Sequence, residues 1–236
     1  KELIKRVDEI LTNSEISLDN DSKIIWKKNP IARLKKGNSY LNPDIDIIAD
    51  DSLNEESKSK LSIFLNKWLI NHINDVLGDL VRLTKHQINN QYLRGLVFQL
   101  YENNGVIKRE NAKDFIKKLA QEERKILRKL GVKFGRYHIF LFKLFKPSAV
   151  SLRISLWKNF HQKYYDLKPP TFGLNFLNEK KEYSKDFMLL CGFEKFDNFF
   201  VRIDILERLF MKIMDFRNEK EIKLIPEMLN LLGCSK

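Results

Sequence analysis

Apolar residues recur every three or four positions over several long stretches of the chain, a spacing that predicts amphipathic helices. The longest of these stretches runs from Glu55 to about Leu83. Asn103-Asn104-Gly105 and Gly131 each follow an apolar-periodic segment and predict left-handed helix caps. Shorter or less regular stretches predict further helices over residues 1–12, 89–102, 110–130, 147–161, 182–190, 204–216 and 226–232.

Only a few short runs of β-branched and aromatic residues predict strands. They are Lys23–Trp26, Ile45–Ile48, a strand or hairpin within 132–142, and Phe199–Ile203. Residues 26–43 contain Pro30, Gly37 and Pro43 and are predicted to be loop. We therefore expect a mainly α fold with a few short strands. Its predicted parts are an N-terminal helix with a loop and strand lead-in over residues 1–54, and a mainly helical domain over 55–236.

The composition is that of a globular protein without a membrane span. Of the 236 residues, 43% are hydrophobic and 31% charged, and the longest uncharged run, 169–178, is ten residues. A spanning helix needs about 20 apolar residues. Two cysteines provide no disulfide framework, and the first residues do not resemble a signal peptide, so a cytoplasmic location is predicted. The first residue is Lys1 rather than Met, which favours a piece of a longer protein.

Nearly all of the excess charge lies in one segment, the basic window of residues 124–165. The chain has a net charge of +12, and this window holds eleven Lys or Arg and no acid, while the rest of the chain has 32 basic and 31 acidic residues. Cations without acids nearby repel one another, and a polyanion relieves that repulsion. A nucleic-acid backbone is such a partner, because each phosphate contact releases counterions.

The basic window supplies the candidate nucleic-acid-binding residues. Aromatic residues that can stack on unpaired bases are interleaved with its cations, among them Phe134, Tyr137 and Phe142. Trp157 is the exception, because the helix that carries it is apolar on most sides, and we expect Trp157 to be buried. An alternative is that the cations only keep the protein soluble. The predicted phosphate contacts are Arg124, Lys125, Arg128, Lys129, Lys133, Arg136, Lys143, Lys146, Arg153 and Lys158.

Catalytic and cofactor motifs are not recognisable in the sequence. It has no glycine-rich phosphate loop, and its histidines and cysteines lack metal-ligand spacing. We predict no catalytic residue and no metal or cofactor for this segment, although the cluster Arg202, Asp204, Glu207 and Arg208 could be catalytic. The favoured interpretation of that cluster is a helix capped by Asp204, with an Asp204–Arg208 pair one turn apart.

Several stretches resemble one protein family. They are GLVFQLYENNGVI (95–107), LRKLGVKFGRYHIFLFKLFKPSAVSLRISLW (127–157), YSKDFMLLCGF (183–193), VRIDILERL (201–209) and LLGCS (231–235). Together with 26–37 and 41–53, they resemble the C-terminal region of DEAD/DEAH-box superfamily two helicases of alpha-proteobacteria. Those helicases are relatives of the mitochondrial degradasome RNA helicase. One departure is Phe142-Lys143, where the family often has a proline.

The resemblance implies a helical accessory domain in an ATP-dependent helicase, with RNA as the expected substrate and two RecA-like motor domains upstream. ATP and Mg²⁺ would then bind those motor domains and not these residues. The expected partners are single-stranded RNA or DNA and the motor domains in cis. The alternative is a protein-docking module that braces the motor or recruits a nuclease, with the basic window facing an acidic protein.

Overall fold

The structure is a computed structural model that describes residues 2–12, 15–19, 21–48, 53–86, 88–163 and 167–215. The predicted helix over 226–232 lies outside these ranges. The chain divides into two compact units, unit 1 from residues 1–78 and 151–166, and unit 2 from 79–150 and 167–236. The boundary predicted at residue 54 does not coincide with this division. No helix in the described part of the chain is long and apolar enough to cross a membrane.

The described chain contains both helices and strands, in runs of one to four elements of the same kind. The helices are α1 (Glu2–Thr12), α2 (Glu55–Val76), α3 (Gly78–Lys85), α4 (Gln91–Glu102), α5 (Lys113–Lys118), α6 (Gln121–Lys129), α7 (Pro147–His161), α8 (Lys185–Leu190) and α9 (Ile203–Asp215). The strands are β1 (Ile16–Leu18), β2 (Lys23–Trp26), β3 (Asn29–Ser39), β4 (Asn42–Ile47), β5 (Val106–Lys108), β6 (Val132–Phe134), β7 (His138–Leu141), β8 (Phe176–Asn178), β9 (Phe193–Phe196) and β10 (Phe199–Arg202).

The prediction of a mainly α fold is wrong. The described residues are 51% helical and 23% strand and form three antiparallel sheets, so the fold is mixed α/β. The largest error is β3, which was predicted as loop because of Pro30 and Gly37. Pro30 lies beside a register shift between β2 and β3, where the ladder does not require its missing N–H. Gly37 lies against the backbone of Asn42, where a side chain would collide.

Unit 1 is a four-stranded antiparallel sheet, in the order β1-β2-β3-β4, covered by helices. Helix α2 buries a stripe of residues at a spacing of four, Leu61, Leu65, Leu69 and Ile73, as the apolar period predicts. The second stretch of unit 1 is joined to the sheet by polar contacts. The Ser22 hydroxyl donates to the Ser155 carbonyl at 3.3 Å, and the Asn159 amide donates to the Lys35 carbonyl at 2.8 Å.

Unit 2 contains two three-stranded antiparallel sheets, in the orders β5-β7-β6 and β8-β10-β9. Val106 of β5, Phe140 of β7 and Ile203 at the start of α9 form one buried apolar cluster. This cluster places α9 beside the β6–β7 hairpin. The predicted strand or hairpin within 132–142 is therefore confirmed.

Two long helices that the sequence predicts are each interrupted. The segment 110–130 breaks at Leu119 and Ala120, whose backbones are extended, and the Glu123 carboxylate accepts the Ala120 N–H at 2.7 Å to begin α6. The segment 55–83 breaks at Leu77, between α2 and α3. Apolar spacing is continuous across both breaks, which is why the pattern alone did not reveal them.

Candidate functional site

The turn between β6 and β7 is held by a buried carboxylate from another element. Glu207 of α9 accepts the backbone N–H groups of Arg136 at 2.5 Å, Tyr137 at 3.0 Å and His138 at 2.7 Å. Three consecutive N–H groups that point at one oxygen-bearing group form a concave anion site. Here an internal carboxylate fills that site, and it fixes the backbone of the turn.

Gly135 and Arg109 secure the same turn from its other side. A Cβ at position 135 would collide with the Glu207 carboxyl, so this position needs glycine for the close approach of Glu207. The Arg109 guanidinium donates to the Gly135 carbonyl at 2.6 Å, and the Arg109 N–H donates to the Tyr137 carbonyl at 2.7 Å. The exposed side chains of Arg136 and Tyr137 therefore extend from a backbone whose N–H groups, and whose Tyr137 carbonyl, have internal partners.

His138 connects the turn to the second sheet of unit 2. Its side chain is 4% exposed, with Nδ1 2.9 Å from Glu207 and Nε2 3.2 Å from Glu194. Burial disfavours the imidazolium, but the hydrogen bonds to Glu194 and Glu207 outweigh it and raise the pKa of His138. Burial likewise opposes ionisation of both glutamates. At Glu194, hydrogen bonds from His138 and Lys108 outweigh burial and lower the pKa. At Glu207, hydrogen bonds from His138 and from the N–H groups of the turn do the same.

A cleft of about 780 Å³ lies between the β6–β7 hairpin and α9, and we call it the first cleft. Lys133 and Arg136 line it from the hairpin, and Arg208 and Lys212 line it from α9. Phe134 and Met211 add apolar surface. Lys133, Arg136 and Arg208 are exposed and make no ion pair with any acid in the described ranges.

Both acids that line the first cleft are engaged by other groups. Asp204 is buried and accepts two hydrogen bonds from the Arg202 guanidinium, at 2.6 Å and 3.1 Å. Glu207 is occupied by His138 and the β6–β7 turn. The charge that the first cleft presents to solvent is therefore positive.

A second cleft, of about 740 Å³, shares Arg109 and Arg136 with the first. Its lining includes the aromatic rings of Tyr137, Phe196 and Phe210. Helix α9 contributes to both clefts, with Phe210 on the side of the second cleft and Arg208 and Met211 on the side of the first. The shared arginines make the two clefts neighbouring parts of one basic surface in unit 2.

The predicted binding residues separate into several groups. Lys133 and Arg136 line the first cleft. Arg128 is exposed beside it, with its guanidinium carbon 5.5 Å from the centre of the Phe134 ring. Lys129 and Lys146 are also exposed in unit 2 and do not line either cleft. These five residues remain candidates for phosphate contact.

Three predicted residues have partners that the sequence did not indicate. Lys125 pairs with Glu122 at 2.7 Å, and Lys143 pairs with the buried Asp79 at 3.2 Å. Arg124 is half-buried and donates to the Ile116 carbonyl at 2.8 Å. The expectation that the cations of the basic window lack nearby acids therefore does not hold for Lys125 and Lys143, because the fold brings acids from outside the window.

The last two predicted residues are not on an exposed surface. Arg153 is 0% exposed and Lys158 is 5% exposed, both within α7 in unit 1. A buried side chain does not reach a phosphate in solvent, so neither belongs to the surface around the first cleft. Trp157, which was expected to be buried, is only partly buried, with its ring 4.6 Å from that of His161.

Sequence reasoning missed most of the α9 side of the site. Arg208 and Glu207 were assigned to an ordinary capped helix, and the predicted Asp204–Arg208 pair is wrong because Asp204 binds Arg202. The helix begins at Ile203, so Asp204 is not its cap. The only available signal was Gly135, a glycine directly before Arg136 and Tyr137, which is typical of a close backbone approach.

In the described part of the chain, no group of three or more His, Cys, Asp or Glu residues is arranged to hold a metal ion. Comparison of the chain with protein-family models, with characterised proteins and with solved structures finds no match. What the clefts bind is therefore inferred from their own residues.

Proposed function

We propose that the chain is a nucleic-acid-binding accessory region of an ATP-dependent helicase, and that its first cleft holds the phosphate backbone of a single strand. One observation carries this proposal. Lys133, Arg136 and Arg208 converge on one cleft without an acidic partner among the described residues, while both acids in that cleft are engaged internally.

The ligand that suits this arrangement is a polyanion. Each cation that contacts a phosphate displaces condensed counterions, and this gain favours binding independently of base sequence. Arg109 and Arg136 line both clefts, so the basic surface continues beyond the first cleft. A surface of this extent suits a chain of phosphates better than a single small anion.

The rigidity of the β6–β7 turn supports the same proposal. Binding is stronger when a side chain does not have to be ordered as the ligand arrives. Arg136 extends from a backbone that Glu207 and Arg109 already fix. Its guanidinium is also the donor that can pair with two phosphate oxygens at once.

The helicase context of the proposal comes from the sequence resemblance. In it, ATP and Mg²⁺ bind motor domains outside these 236 residues, and the accessory region holds the strand while the motor moves it. The first cleft binds the strand, and no residue of this chain takes part in ATP hydrolysis. A cytoplasmic location, where such a helicase meets RNA, is part of the same proposal.

The proposal is tested by removing the three cations of the first cleft. The triple variant Lys133→Ala, Arg136→Ala and Arg208→Ala should bind a labelled single-stranded oligouridylate more weakly than the wild type. The slope of log affinity against log salt should become shallower by roughly 0.7 per lost contact, or about 2 in total. Fluorescence anisotropy titrations between about 50 and 200 mM salt measure both quantities.

A matched variant controls for net charge alone. Lys23, Lys28 and Lys67 are exposed in unit 1, and changing all three to Ala removes the same charge. This variant should retain the wild-type slope. Equal slopes for all three proteins would contradict the proposal. If the wild type binds an acidic polypeptide but no oligonucleotide, the docking-module alternative is favoured instead.

A further inference from the structure

Tyr137 is an exposed aromatic residue with a rigid support. Its side chain is 50% exposed, and one side of the ring packs on Phe210 of α9, with ring centres 4.1 Å apart. Its backbone N–H is held by Glu207 and its carbonyl by Arg109. The ring is therefore fixed in place while half of its surface faces solvent.

The second cleft gives this ring both an apolar and a basic setting. Phe196, which is 53% exposed, lines the same cleft, whose volume lies within the usual range for ligand sites. Lys113 and Arg136 add positive charge at its wall. Of its acids, Glu194 is paired with Lys108 at 2.8 Å and with His138, and Glu110 is exposed at the edge.

The neighbour of Tyr137 in sequence links the two clefts. Arg136 lines both, as does Arg109. A strand whose phosphates follow the first cleft and pass Arg136 would bring its next bases to the ring of Tyr137. Bases have flat apolar faces that stack on aromatic side chains, and this stacking requires bases that are not paired.

We infer that the second cleft is a base-stacking subsite in which Tyr137 holds an unpaired nucleobase of the strand bound in the first cleft. This inference rests on the proposed function and adds to it a preference for single strands over duplexes. The first cleft contacts phosphates, which duplex and single strands share. The second cleft selects single strands, because a paired base does not present its face to Tyr137.

The test separates bases from phosphates by using two probes of equal length. One is labelled oligothymidylate, and the other is an abasic oligomer with the same number of phosphates and no bases. The replacement Tyr137→Ala should weaken oligothymidylate binding about tenfold, since stacking on an aromatic side chain is worth this much per base. It should leave binding of the abasic oligomer unchanged, and Tyr137→Phe should bind both probes like the wild type.

Two further variants keep the result interpretable. Tyr137→Leu retains apolar contact with Phe210 but has no ring face, so it should lose oligothymidylate affinity even if Tyr137→Ala does not fold. Phe98→Ala removes an exposed aromatic residue of α4 that lines neither cleft, and it should bind both probes normally.

Three results would overturn the inference. Unchanged oligothymidylate binding by Tyr137→Leu would show that no base stacks there. Equal weakening of both probes would show that Tyr137 acts on the phosphate contacts. If the wild type binds neither probe, both the proposed function and the subsite are contradicted. If the wild type binds the abasic oligomer but replacing Tyr137 does not change oligothymidylate binding, only the subsite is contradicted.

Discussion

Two hairpin turns present cations to solvent, one in each unit, and their backbones are held in different ways. In unit 1, Lys27 and Lys28 connect β2 to β3 with φ angles of 44° and 70°. Such a two-residue turn needs positive φ at both positions and favours Asn-Gly. In unit 2, Gly135, Arg136 and Tyr137 have no positive φ, and the buried Glu207 accepts two of their N–H groups.

The comparison shows that exposed charge alone does not distinguish a binding surface. The Lys27–Lys28 turn is supported by a 3.4 Å ion pair from Lys27 to Glu9, a cation–π contact of Lys27 with Trp26, and a 3.3 Å hydrogen bond from the Asn29 amide to the Lys27 carbonyl. The β6–β7 turn fixes the direction of its side chains through buried polar groups. Binding sites are built on rigid elements with such support, which is why we assign function to the second turn.

Removing the acid that contacts each turn should affect the two turns very differently. Glu207→Ala leaves three N–H groups and a buried imidazolium without their acceptor and should cost about 3–5 kcal/mol of unfolding free energy. Glu9→Ala removes only an exposed ion pair and should cost about 0–1 kcal/mol. Urea unfolding of the two variants and the wild type measures both costs.

Site-specific evidence comes from hydrogen exchange at the amides of Arg136, Tyr137 and His138. Glu207→Ala should accelerate their exchange, whereas Glu207→Gln, which keeps a carbonyl acceptor, should accelerate it less. A loss of stability below about 1 kcal/mol for Glu207→Ala would mean that the carboxylate does not secure the turn.

The β6–β7 turn is bonded through Glu207 to the buried His138, so its stability should change with pH. The pKa of His138 is raised above its ordinary 6.5, so folding favours the protonated ring. Its contribution to stability is complete below pH 6.5 and is lost as the pH rises through the raised pKa. Because the pKa values of Glu194 and Glu207 are lowered from 4.5, their contribution is lost only in more acidic solution.

The variant His138→Gln isolates this dependence. As the pH rises above 6.5, the wild type should lose stability relative to the variant, because the titrating group is present only in the wild type. His72 in unit 1, whose pKa burial lowers, contributes with the opposite sign, but it is present in both proteins and cancels in the difference. Parallel stability curves for the two proteins would mean that folding does not raise the pKa of His138.

The smallest expected effect is the relief of strain in the Lys27–Lys28 turn. The double change Lys27→Asn and Lys28→Gly gives the residues that this turn type prefers. Relieving the backbone strain should stabilise unit 1, and losing the exposed Lys27–Glu9 ion pair should destabilise it by a smaller amount. The net stabilisation should be about 0.5–1 kcal/mol. Thermal unfolding measures the change. If the variant is less stable than the wild type, the contacts of Lys27 outweigh the strain.

The parts of the fold that the sequence predicts best are those with a strong local signal. Asn104 and Gly105 have the left-handed φ angles, 55° and 83°, that their sequence indicates after α4. Helix α7 begins at Pro147 as predicted, because proline is favoured in the first turn of a helix. Short strands such as Phe193–Phe196 were missed, since four residues carry too little periodicity to show their pairing.

The candidate site was only half predictable for a related reason. Lys133 and Arg136 could be found because they lie in the acid-free basic window. Arg208 lies about 70 residues later in an ordinary amphipathic helix, so only tertiary packing brings it to the same cleft. Arg153 was predicted to bind because of its charge, but it is buried. It lies on a helix whose polar face is covered by the rest of the fold.

Unit 1 is assembled from two stretches of chain that are far apart in sequence, and this affects how it forms during synthesis. Its four strands are complete by Ile47, but Ser155 and Asn159, which bond to Ser22 and Lys35, are made much later. At a translation rate of about 5–20 residues per second, about 110 intervening residues take roughly 5–20 s to synthesise. Throughout that interval the four strands have been made without their last partners, so unit 1 cannot finish folding before residues 79–150 of unit 2 exist.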